Sequence, residues 1–175
     1  MFVRRKHIGM LVQQLLTNQA VKDVPVDVVA IAKKMGLEVR KERAEPDISG
    51  FLLRDPKTGF AVIGVNSVQH ANRQRFTVAH ELGHFLLHRG DKLHVDRGYE
   101  VKLRDIKSSE GTDLEEKEAN LFAAELLMPE QFLAKDLLSL GSIDLFDEIQ
   151  LGKLAKRYKV STQALAFRLA YLGYS

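Results

Sequence analysis

In the stretch Phe76 to His88, FTVAHELGHFLLH, two histidines stand four residues apart and a glutamate directly follows the first. On an α-helix, residues i and i+4 lie nearly one above the other, so His80 and His84 can aim both imidazoles at one zinc ion. Glu81 is turned by about 100° around the helix, which places it beside such an ion rather than on it. From there it can take a proton from a water that the ion has acidified and pass it to a leaving amine. That is the chemistry of a peptide-cleaving metalloenzyme. A blander reading competes with it. The chain has six histidines, four of them between positions 80 and 94, so the spacing can arise by chance on a buried helix.

A zinc site of this kind needs a third protein ligand. The chain has no cysteine, and His88, four residues after His84, does not stand at the spacing of a metzincin third histidine. A carboxylate from another helix is the remaining donor. In EEKEANLFAAELLMP, Glu116 and Asn120 are again i and i+4. Glu116 can reach the metal, and Asn120 can accept a hydrogen bond from the outer nitrogen of a liganding histidine. The small Ala119 and Ala123 beside that stripe suit close approach of the two helices. Glu118 is the rival ligand, but it points roughly 200° away from Glu116 around the helix, so Glu116 is favoured. His88 lies one turn, about 6 Å, beyond His84; it suits the helix end, or a carboxylate behind the ligands, better than the metal. Tyr99 is a candidate to stabilise the oxyanion of a tetrahedral intermediate, with a merely exposed loop tyrosine as the alternative. Arg73 and Arg75 read as structural ion-pair partners near the helix start. One zinc ion is the expected cofactor, although His and Glu ligands also suit manganese or iron.

The elements that must hold these residues are legible in outline. Residues 5–18 carry apolar side chains at helical spacing, and VPVDVVAIAKKMG reads as a second helix begun near Pro25 and Asp27 and closed by Gly36. LEVRKER alternates like a strand, and ISGFLLRDPKTGFAVIGVNS reads as an antiparallel hairpin around DPKTG. Helical period returns from Gln74 to His88, with Val78, Leu82, Phe85 and Leu86 on the apolar side. Residues 89–112 read as a long surface loop bordering a cleft. A helix then starts at a capping box formed by Thr112 with Glu115 or Asp113 with Glu116, and ends at Pro129. Shorter helices follow. The expected fold is α+β, with a small antiparallel sheet packed on the HExxH helix and a glutamate-bearing helix opposite. The expected division is a metallopeptidase domain over 1–130 and a helical, helix-turn-helix-like C-terminal portion over 131–175.

RQRFTVAHELGHFLLH followed by EKEANLFAAELLMP, with the preceding ISGFLLRDPKTGFAVIGVN, resembles the ImmA/IrrE family of metallo-endopeptidases from Ile48 to Pro129. The resemblance implies His80, His84 and Glu116 as zinc ligands and Glu81 as general base. It also implies a protein substrate, a helix-turn-helix transcriptional repressor whose cleavage releases a stress or mobile-element programme. Zinc proteases of the HExxH type receive substrate as an extended strand along a sheet edge; Phe60 to Asn66, which leads into the HExxH helix, is the expected strand, with a strand that simply packs inside the sheet as the alternative.

At 175 residues with a formal charge of +3, the chain is long enough for one core and nearly neutral as a whole. Its N-terminus is basic, but Gln13 and Gln14 interrupt the apolar run and no small-residue cleavage site follows. Nowhere do about 18 apolar residues run uninterrupted, so no membrane span and a cytoplasmic address are expected. From Ile149 onward there is no Asp or Glu, while Lys153, Lys156, Arg157, Lys159 and Arg168 are basic. With the helix-turn-helix look of LAKRYKVSTQAL, this opens a second class of function, a non-cleaving zinc-binding regulator that binds a repressor or DNA. Packing or partner docking is the favoured role of these helices, because DNA binding alone has no need of His80, Glu81, His84 and Glu116.

Overall fold

The structure, a computed structural model, describes residues 2–88, 92–97, 110–140 and 147–174, without the side chains of 97 and 110–112. In chain order the elements are α1 (Arg5–Asn18), α2 (Val28–Lys34), β1 (Leu37–Glu42), β2 (Ile48–Arg54), β3 (Ala61–Asn66), α3 (Ala71–Leu87), β4 (Leu93–Arg97), α4 (Glu110–Leu127), α5 (Glu130–Leu140), α6 (Glu148–Tyr158) and α7 (Thr162–Tyr171). α1 buries Ile8, Val12, Leu15 and Leu16 along one stripe. Asp27 caps α2 by accepting from the Ala30 N–H at 2.9 Å, and Gly36, at φ 86°, turns the chain into β1. α4 begins at Glu110, ahead of the expected capping box, so Thr112 and Asp113 lie inside its first turn.

The α+β architecture is as expected, but the sheet is mixed. Its order is β1-β3-β2-β4, with β1 parallel to β3 and the other pairs antiparallel. β2 and β3 form the expected hairpin, whose turn is tied by Asp55 accepting from Lys57 N–H at 2.9 Å and Thr58 Oγ1 at 2.7 Å. Two expectations fail. β3 is flanked on both sides and buried along its whole length, so Phe60 to Asn66 has no free edge to offer a substrate. The second concerns the stretch read as loop: it contains β4, which pairs with β2 and, among the described residues, with nothing else.

α3 lies against β2, β3 and α4. One continuous apolar cluster runs from Ile8 and Val12 of α1 through Leu52 and Ile63 of the sheet and Leu82 of α3 to Leu133, Leu154 and Leu165 of α5–α7. At the α6–α7 turn, Lys159 takes a left-handed conformation, φ 53°, Val160 and Ala155 are buried, and Ser161 Oγ accepts from the Ala164 N–H at 3.1 Å. The basic C-terminal set is partly committed. Arg168 is buried and donates to the Met128 carbonyl, and Arg157 pairs with Asp136 and Asp23. Among the described residues no helix is long and apolar enough to cross a membrane.

Candidate metal centre

Close packing of α3 on α4 builds the site. A Cβ placed on Gly83 would stand 3.2 Å from Ala119 Cα and 3.3 Å from its carbonyl oxygen, so any larger residue would have to push the two backbones apart by a few tenths of an ångström. Val78 and Leu82 are buried beneath, which turns the line of His80 and His84 toward α4.

There His80 Nε2 and His84 Nε2 are 3.1 Å apart. Glu116 from α4 completes a triangle, Oε2 at 3.6 Å from His80 Nε2 and Oε1 at 3.5 Å from His84 Nε2. Zinc bonds of about 2.0–2.1 Å to N and O at tetrahedral angles require ligand separations of roughly 3.3–3.4 Å. The three donors therefore fit the ion, and two nitrogens so close either share a proton or turn both lone pairs on one cation. A second grouping, His80, Glu81 and Asp96, lies within 4.8 Å, but Asp96 faces the Arg73 guanidinium at 3.9 Å, which already supplies positive charge there.

Glu81 is fully buried beside the triangle. Its Oε1 has no hydrogen-bond partner among the described residues, and its Oε2 is 3.1 Å from His94 Nδ1. Burial pushes its carboxyl up to about 7, against the opposing pull of His94. His94, whose other nitrogen is 3.0 Å from Glu116 Oε1, ties the two carboxylates together. Burial works against its charged form, but the hydrogen bonds to Glu116 and Glu81 raise it to about 9. A divalent cation on Glu116 would oppose that same proton. Burial lowers the pKa of His84, in favour of the neutral imidazole a metal needs.

Sequence reasoning missed His94. It arrives on β4, and the only signals were the Leu93, His94, Val95 alternation and the crowding of histidines up to position 94. Asn120 does not take its expected part: its side chain is exposed and makes no hydrogen bond among the described residues. Four residues advance about 400°, so Asn120 is turned some 40° past Glu116 and leaves the seam with α3. His88 lies behind His84 instead, its Nδ1 at 3.2 Å from His84 Nδ1 and its Nε2 at 3.1 Å from Glu118 Oε2. Glu118 is bound there to Arg4. Arg73 donates to Ser49 Oγ at 2.9 Å as well as facing Asp96, and Arg75 donates to the Val26 carbonyl. Tyr99 lies outside the described residues.

Residues 32–170 match the peptidase family described as IrrE N-terminal-like domain. A 112-residue stretch is 38% identical to the radiation response metalloprotease IrrE of Deinococcus radiodurans, covering 62% of this chain and 30% of that protein. A Mycobacterium tuberculosis transcriptional regulator shares the fold at TM-score 0.63 and 17% identity, over 97% of this chain and 56% of the other. The chain thus spans under a third of the curated relative and about half of the structural one.

Proposed function

Because the chain belongs to the IrrE N-terminal-like domain family of peptidases, we propose that it is a single-metal endopeptidase that cuts within a protein substrate. The observation that carries this reading is the triangle of His80, His84 and Glu116 with the buried Glu81 beside it. Two imidazoles and a carboxylate without a thiolate suit zinc, and also manganese or iron. When bound, the ion supplies Lewis acidity to the scissile carbonyl and the attacking water. Glu81, poised near neutrality, takes the proton from that water and returns it to the amine nitrogen. His94 holds Glu81 through Oε2 and is about a quarter exposed, 26%, so it sits where the site opens.

Substrate lies as an extended strand along the outer edge of β4, which carries His94 and, among the described residues, is the sheet edge on the site's side. The resemblance of the two helical motifs supports a helix-turn-helix repressor as that substrate, which puts the reaction in the cytoplasm. Residues 131–175 act as a packing and docking portion. DNA contact is the less favoured role, since Arg157 and Arg168 are engaged within the chain.

The test is incubation with a helix-turn-helix repressor encoded beside this gene, with and without chelator, and mass spectrometry of the products. Fragments are expected with zinc and none with chelator or with Glu81→Gln, which keeps its metal. Cleavage by Glu81→Gln would rule out this mechanism, and no fragment under any condition would favour the non-cleaving regulator.

A further inference from the structure

We infer that Arg4, Glu118 and His88 are positioning residues that hold His84 in one tautomer and thereby set the affinity of the metal centre. The inference rests on the metal-binding half of the reading above and is independent of peptide cleavage.

Arg4 stands immediately before α1. Its backbone N–H donates to Glu118 Oε1 at 2.9 Å and its guanidinium donates to both carboxylate oxygens, Nη2 to Oε2 at 2.6 Å and Nε to Oε1 at 3.0 Å. The same Nη2 donates to the carbonyl of Leu87, the last residue of α3. A carboxylate gripped this way is ionised and can only accept. The proton in its 3.1 Å contact with His88 therefore sits on His88 Nε2.

With that proton on Nε2, His88 offers Nδ1 as the acceptor toward His84. The proton in the 3.2 Å contact between the two Nδ1 atoms must come from His84. With Nδ1 protonated, His84 turns the lone pair of Nε2 toward His80 and Glu116, the end a metal needs. Without Glu118, nothing orders the chain. A His88 that donated from Nδ1 would push the His84 proton onto Nε2 and block the ligand position. The contact that opens the relay joins residues 114 apart in sequence, so docking of the N-terminal segment and readiness of the metal centre become one event.

The experiment measures zinc affinity by competition with a chromophoric chelator. Alongside, long-range proton–nitrogen correlation spectra of the metal-free full chain read the His84 tautomer. Loss of an outer partner of a liganding histidine typically weakens metal binding about 10–100-fold. That loss is expected for His88→Ala, together with mixed His84 tautomers, while His88→Gln, whose amide can both accept from His84 and donate to Glu118, restores most of the affinity. Arg4→Ala should give a smaller loss in the same direction. Wild-type zinc affinity with an unchanged His84 tautomer in His88→Ala would overturn the inference. Should that variant fail to fold, the same result in both Arg4→Ala and Glu118→Gln would overturn it equally. A protein that passes this test yet cuts no substrate removes the peptidase reading and leaves the relay standing.

Discussion

Two helix pairs in this chain bury opposite things. α6 and α7 turn an apolar stripe inward, Leu151, Leu154, Leu165 and Leu169. The two large polar side chains that go in with it are tied to neighbours: Tyr158 donates to Asp136 at 2.8 Å, and Arg168 donates through Nε to the Met128 carbonyl at 3.3 Å and faces the Glu125 carboxylate through Nη1 at 3.5 Å, an ion pair without a hydrogen bond. α3 and α4 instead bury His80, Glu81, His84 and Glu118 along their seam, and Glu81 Oε1 is left with no hydrogen bond among the described residues. Burying polar groups that are incompletely paired costs stability. The first pair packs around an apolar stripe, and the second carries the candidate metal centre.

The largest test of that difference is Glu81→Gln. The amide keeps the shape and loses the base, so cleavage should fall about 10²–10⁴-fold while metal content by mass spectrometry stays at the wild-type level. Next, the same substitution in each pair should act in opposite directions. Gly83→Ala adds a methyl against the Ala119 backbone; it should cost about 1–3 kcal/mol in urea unfolding and weaken zinc binding by parting α3 from α4. In α6, a Cβ on Gly152 meets nothing within 4 Å, so Gly152→Ala should stabilise by about 0.8–1 kcal/mol. Equal effects at the two positions would erase the distinction.

A pH-dependent difference follows from Glu118, whose hydrogen bonds with Arg4 hold its carboxyl down to about 2. The folded pKa is depressed, so its contribution to stability is present above the ordinary value of 4.5 and is lost as pH falls toward about 2. Acid unfolding of the metal-free protein should therefore be shallower over that window in Glu118→Gln. The smallest effect belongs to the C-terminal pair. Arg157→Ala removes surface ion pairs with Asp136 and Asp23, should cost about 1 kcal/mol, and should leave zinc affinity unchanged.

The sequence reveals what short-range rules govern. Spacing of four placed His80 and His84 on one face of α3, Asp27 announced a cap, and DPKTG announced the hairpin; the i, i+4 argument that paired Glu116 with Asn120 failed for Asn120. Contacts set by chain topology were out of reach. His94 depends on pairing of β4 with β2, a register that breaks between Ile48 and Gly50, and the alternation Leu93, His94, Val95 in a five-residue strand is too short to announce it. The Arg4–Glu118 contact joins residues 114 apart. The central place of β3 was within reach. The unbroken apolar run AVIGV marks a strand buried on both faces, which decides between the two readings of Phe60 to Asn66, substrate-binding edge or strand packed inside the sheet, in favour of the second.

The most direct measurement is zinc K-edge absorption spectroscopy on the loaded wild-type protein and on Glu116→Gln. Two imidazole nitrogens and one carboxylate oxygen at about 2.0–2.2 Å are expected in the wild type, with the carboxylate contribution lost in the variant. A first shell of three imidazoles, or a spectrum unchanged by Glu116→Gln, would contradict the proposed centre.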